Sequence, residues 1–231
     1  KMYIVGNAND TIQQYLLTTA FDVSTSISET SYSMTAQDQV PVAMAFNSDG
    51  TKMYILGNTN DNVYQYTLST AFNVSTASYD SVFFDISSQE TGPQGLEFNS
   101  DGTKMYIVGL GTDTVYQYTL STGFDLSTAS YDSVSFSVSS EDITPLGIAF
   151  DSNGTKMYIV GADNDTVYQY TTGTAFAPTS QYHPTVTKAS GQIDTAFWTD
   201  INTMTADETL NGGEVYYAVS TDDRTTWAVI D

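Results

Sequence analysis

Short runs in which apolar and polar residues alternate, broken at close intervals by Gly, Asp, Asn and Ser, fill most of this chain. In residues 133–139, Val134, Phe136 and Val138 alternate with Ser, the two-residue period of a half-buried strand. No stretch sustains a 3.6-residue period, so no helix longer than a turn is expected. The clearest region parses into four strands. Residues 94–99 form the first, closed by the turn Ser100-Asp101-Gly102. Residues 104–109 form the second, and the polar loop 110–113 leads to a third over 114–120. A longer loop holding Phe124 precedes a fourth over 133–139. Asp-Gly signals a turn because Gly accepts positive φ and Asp bonds its own backbone.

The pattern repeats. Lys1-Met2-Tyr3-Ile4-Val5-Gly6 recurs from Lys52, Lys104 and Lys156, at steps of 51, 52 and 52 residues. The pairs Tyr64/Tyr66, Tyr116/Tyr118 and Tyr168/Tyr170 follow at fixed distance, each flanking a Gln. Residues two apart on a strand share a face, which favours packing between repeats; stacking on sugars is the functional alternative. The turns Asp49-Gly50, Asp101-Gly102 and Asn153-Gly154 recur as well, and turn chemistry explains them better than metal binding.

Four strands per unit of about 52 residues is the blade pattern of a β-propeller. One four-stranded sheet has two apolar faces, and radial stacking covers both. The expected fold is therefore all-β: a propeller of four-stranded blades, followed by the start of a second small β domain. Pro145, Leu146, Gly147, Ile148, Ala149 and Phe150, the turn Asn153-Gly154, then Tyr158, Ile159 and Val160, with Asn164-Asp165-Thr166-Val167 after them, resemble the YVTN-type β-propeller repeat over about residues 1–176. That resemblance implies the fold and leaves the role open. Residues 1–179 are read as a partial blade, two full blades and a partial blade. Completion of the ring falls to residues outside this sequence, the polypeptide being expected to extend upstream, or to other copies in a homo-oligomer.

Residues 180–231 are read as a small β domain or hairpin segment, with strand-like runs at 195–201, 214–220 and 226–230. Ser220-Thr221-Asp222-Asp223-Arg224-Thr225-Thr226-Trp227 resembles the Asp-box hairpin of sialidase-like propellers, with Arg224 in place of its Gly. The acidic Thr/Ser/Tyr-rich repeats with this tail are similar in style to virion structural proteins of marine bacteriophages.

Charge narrows the partners. Twenty-seven Asp and Glu against six Lys and Arg give a net charge of -21, which argues against nucleic acid and anionic membrane surfaces. No window is apolar enough to span a membrane as a helix. With no Cys and one His (His183), thiol chemistry and a His-rich zinc site are excluded. No P-loop, nucleophile elbow or dinucleotide fingerprint occurs.

Acidic residues that repeat are the remaining chemistry. Asp10, Asp61, Asp113 and Asp165 lie between second and third strands, and Asp38, Glu90 and Asp142 lie just before first strands. In a propeller both loop classes fall on one face, so these seven are candidate Ca²⁺ ligands, oxygen donors being what that ion takes. The alternative is that they make turns and stay hydrated. No cofactor other than Ca²⁺ is expected.

Together these features predict a non-catalytic structural or binding module of an extracellular or virion assembly, such as a tail fibre, decoration or adhesin, meeting neighbouring subunits and a host-surface glycan or protein. The alternative is a Ca²⁺-dependent propeller hydrolase of the lactonase kind. Near-identity of the repeats argues against an enzyme, because a catalytic site needs different residues on different blades. A blade with its own inward Glu or His would reverse that, and none is expected here.

Overall fold

Steric demands of the turns set the frame of each repeat. Gly50, Gly102 and Gly154 have φ of 72°, 71° and 66°, the left-handed region that Gly enters without cost. Asp49 and Asp101 accept the amide of the Thr two residues on at 2.9 Å in both cases. In the third copy Asp and Asn exchange places, and Asp151 accepts from Thr155 and Lys156 instead. The computed structural model describes residues 1–6, 8–172 and the strands Tyr217–Val219 and Ala228–Ile230.

The described chain is nearly all β. The first blade contains β1 (Met2–Gly6), β2 (Thr11–Leu17) and β3 (Ser26–Ser33). The second contains β4 (Pro41–Phe46), β5 (Lys52–Gly57), β6 (Asn62–Leu68) and β7 (Ala77–Asp85). The third contains β8 (Pro93–Phe98), β9 (Lys104–Gly109), β10 (Thr114–Leu120) and β11 (Ala129–Ser137). The fourth contains β12 (Pro145–Phe150), β13 (Lys156–Gly161) and β14 (Val167–Thr171). Each is an antiparallel meander in sequence order. The chain divides into two compact units, Lys1–Gln181 and Tyr182–Asp231. In the second, β15 (Tyr217–Val219) pairs antiparallel with β16 (Ala228–Ile230). The expected strand at 195–201, the Asp-box residues 220–227 and His183 lie outside the described residues.

Apolar side chains bury between blades. One cluster joins Ile12 and Met34 of the first blade and its exit loop to Met53, Ile55 and Tyr66 of the second. A second joins Tyr54, Leu56 and Val63 to Met105, Ile107 and Tyr118. A third joins Tyr106, Val108 and Val115 to Met157 and Ile159. This is the radial stacking of a β-propeller, and the innermost strands β4, β8 and β12 lie side by side across it.

Polar latches fix the same junctions. Between the third and fourth strand positions, a single 3-10 turn forms at Val23–Thr25, Val74–Thr76 and Leu126–Thr128, capped by Asp22, Asn73 and Asp125. The Val74 amide donates to Oε1 of Gln14 in the preceding blade at 2.9 Å, and the Leu126 amide to Gln65 at 2.8 Å. Tyr3 and Tyr54 hydroxyls donate to the carbonyls of Phe72 and Phe124. Buried main-chain groups that would otherwise be unpaired are thus satisfied across each interface.

Candidate functional site

Repeated carboxylates and one that does not repeat occupy different places in the blades. Asp38, Glu90 and Asp142 are buried at the entrance to β4, β8 and β12. Asp38 accepts from the amides of Val40, Thr59 and Asn60 at 2.8, 3.2 and 3.1 Å. Glu90 accepts from the amides of Gly92 and Gly111 and from the Thr112 hydroxyl at 2.8, 2.7 and 2.8 Å. Asp142 accepts from Thr144 and Asn164. Each carboxylate therefore braces the entrance loop of a blade to that blade's loop between second and third strands. A side chain at Gly57 or Gly161 would overlap the Asp38 or Asp142 carboxyl, which explains why those strands end in Gly. Burial opposes ionisation of Asp142, but its amide partners hold its carboxyl below the usual range.

Asp10, Asp61, Asp113 and Asp165 take φ of 50°, 52°, 50° and 48°. Asp tolerates this left-handed conformation better than most residues, so the turn itself calls for the residue type. Burial, and then the charges of Glu90, Asp38 and Asp85, raise Asp61 above its ordinary value. Burial, Glu90 and Asp142 do the same to Asp113. The two loop classes thus share one face, and their carboxylates sense one another.

They do not gather as a metal site. Among the described residues, no three His, Asp or Glu side chains converge as ligands. The brace oxygens are turned to main-chain amides. Asp38, Glu90 and Asp142 have their oxygens engaged in this way, whereas Oδ1 of Asp61 and of Asp113 is buried without a hydrogen-bond partner.

The carboxylate outside the repeat is Glu97, on the innermost strand β8 opposite Tyr106. Ala45 and Ala149 hold the same register position in β4 and β12. Glu97 lies on the face of β8 that carries Gly95, and a side chain at Gly95 would meet main-chain atoms of Gly147 and Ile148 in β12. Glu97 is part-buried between innermost strands, and this loss of solvation pushes its carboxyl up to about 7. Glu97 is thus a carboxylate on an innermost strand without a counterpart in β4 or β12. Aligning Ala45, Glu97 and Ala149 is the sequence signal that reveals it.

Comparison with known proteins adds fold and scale. No protein-family model and no curated protein matches the chain. Among solved structures, it is similar to a provisionally named 6-phosphogluconolactonase from Bacteroides uniformis ATCC 8492. That match has TM-score 0.52 and 13% identity, over 73% of this chain and 46% of that one. Another provisionally named 6-phosphogluconolactonase, from Bacteroides fragilis NCTC 9343, matches at TM-score 0.52 and 14% identity, over 71% and 45%. A protein from Lactobacillus plantarum matches at 0.50 and 15%, over 70% and 45%. These neighbours are of the β-propeller type. The chain spans just under half of their length.

At this identity the likeness establishes the fold. It also overturns the expectation of a non-catalytic virion or adhesin-like module, and with it the expectation that the chain is not an enzyme. Two of the neighbours carry the provisional name 6-phosphogluconolactonase, which favours the lactonase alternative. The physical reason is that near-identity of repeats describes the frame alone and does not bear on residues that depart from the repeat.

Proposed function

We propose that this chain is part of a β-propeller hydrolase that opens lactone rings, with Glu97 as its acid–base group. The observation that carries the reading is a lone carboxyl on an innermost strand, raised to about 7 by burial. A general base works best with a pKa near the operating pH. The names of two neighbours support the same class. Within the propeller class, the repeat is most like the YVTN type, on residues 145–167.

In this reading Glu97, ionised above pH 7, takes a proton from water as its oxygen attacks the lactone carbonyl carbon. The ring C–O bond then breaks, and the proton passes to the departing alkoxide, giving a hydroxy acid. The substrate is a neutral lactone. Lys52 and Lys104 are paired with Asp80 and Asp132 on β7 and β11, so neither is free to meet a phosphate.

Hydrolysis of glucono-δ-lactone, followed by acid release against the spontaneous rate, tests this. The expected result is an acceleration that rises through about pH 7 and is lost in Glu97→Gln, with the thermal melt of the variant intact. No acceleration over a panel of neutral lactones, or full activity in Glu97→Gln, would sink the proposal.

A further inference from the structure

Two seams between innermost strands differ in one pair of residues. Where β4 meets β8, the face turned to the third blade carries Ala43 and Ala45, both packed on the second cluster. Where β8 meets β12, the same positions hold Gly95 and Glu97. Gly95 is buried, and a Cβ there would lie 3.1 Å from the Ile148 amide nitrogen and 3.2 Å from the Gly147 Cα. The two strands therefore touch at the main chain. Glu97 follows on the same face, part-buried, and among the described residues its carboxyl has no hydrogen-bond or ion-pair partner. The surroundings offer no counter-charge. β4 and β12 carry no titratable or charged residue. On β9, Lys104 is committed to Asp132 at 2.8 Å. Burial, and then Asp132, raise the Tyr106 hydroxyl, so it stays neutral. A carboxylate formed in this seam has only water to turn to, and water cannot surround it while Gly95 rests on β12.

We infer that the seam between β8 and β12 opens as Glu97 ionises and closes as it is protonated. Closed, the seam favours the neutral carboxyl. Open, the hydrated side chain takes its ordinary acidity. The folded pKa is raised from 4.5 to about 7, so loss of the proton favours the open form. The ratio of open to closed seam then rises about tenfold per pH unit above 4.5 and levels off beyond about 7. The seam between β4 and β8, with Ala45 in place of the acid, has no such dependence. The opening follows from the packing of β8 on β12 alone and holds whatever reaction Glu97 serves, so it stands apart from the lactonase reading.

The chain has no Cys, so one introduced thiol reports opening without background. Val108 is fully buried in the third cluster and pairs with Gly95. Leu56, also fully buried, holds the same register position in the second blade, opposite Ala43. The rate at which dithiodipyridine labels Val108→Cys is followed from about pH 5 to about pH 9 and divided by the rate for the unfolded chain at the same pH. The expected ratio rises about tenfold per pH unit up to about 7 and then flattens. Adding Glu97→Gln removes the rise, and so does Glu97→Ala, which restores the residue of the repeat. Leu56→Cys shows no rise. A ratio independent of pH, a rise that survives both Glu97 substitutions, or an equal rise in Leu56→Cys would each overturn the inference, the last by tracing the opening to the whole chain.

Discussion

The second and third blades, β4–β7 and β8–β11, are built from nearly the same residues. Their Met, Ile, Tyr, Gln and capped turns sit in the same places, with the same latches, yet one innermost strand carries Ala45 and the other Glu97. What the blades share is what stacking requires: apolar faces, an amide acceptor and a carboxylate brace. What they do not share is a desolvated titratable group. In a repeat protein the repeated residues describe the frame, and the departures from the repeat are where chemistry is sought.

The largest effect should come from breaking the frame where it is closed. Leu126→Ala, in the packed junction between these two blades, should lower stability by about 3 kcal/mol in urea unfolding. Val23→Ala, at the same register position on the exposed first blade, should change it by less than about 0.5 kcal/mol. Equal effects would mean that the blades are not held by their interfaces.

The next tests exchange the difference itself. Ala45→Glu gives the second blade the third blade's residue at a site packed on the inter-blade cluster. It should cost on the order of 2 kcal/mol at pH 8, and less at pH 4 where the new carboxyl is neutral.

Glu97→Gln should act in the opposite sense. The folded pKa of Glu97 is raised to about 7 from 4.5, so its favourable contribution is complete below pH 4.5 and is lost as pH climbs to about 7. The variant should match the parent at pH 4 and exceed it at pH 8 by roughly 1–2 kcal/mol, the full shift being discounted for partial exposure. The smallest effect belongs to Lys104→Met, which removes a part-exposed ion pair with Asp132 and should cost no more than ~1 kcal/mol. Asp132 is held below its ordinary value, against its burial, by Lys104, Thr119 and Gln117. That cost should therefore be present at pH 7 and vanish as acid protonates the carboxyl.

Much of this frame is legible in the residues alone. The second and third strands of the third blade fall at Lys104–Gly109 and Thr114–Leu120 because Gly and Asp punctuate both ends. The fourth, expected at 133–139, occupies Ala129–Ser137. Ser133 takes φ of 58° and residues 132 and 133 bulge between Tyr131 and Val134, so the ladder is interrupted there. Alternation is visible only beyond the bulge, and the strand's first half is hidden. The carboxylate loops share a face as the blade topology implies. Their use as braces was not legible, because it depends on where the amides of residues such as Thr59 and Gly111 point. Glu97 was legible only against Ala45 and Ala149, at a position where attention to what recurs passes over what does not.

The most direct measurement is the titration of the Glu97 carboxyl by carbon NMR in the folded chain, assigned with Glu97→Gln. The account predicts a midpoint near 7, well above those of the exposed carboxylates. A midpoint at the ordinary 4.5 would mean a solvated surface side chain, and the departure from the repeat would then carry no acid–base chemistry.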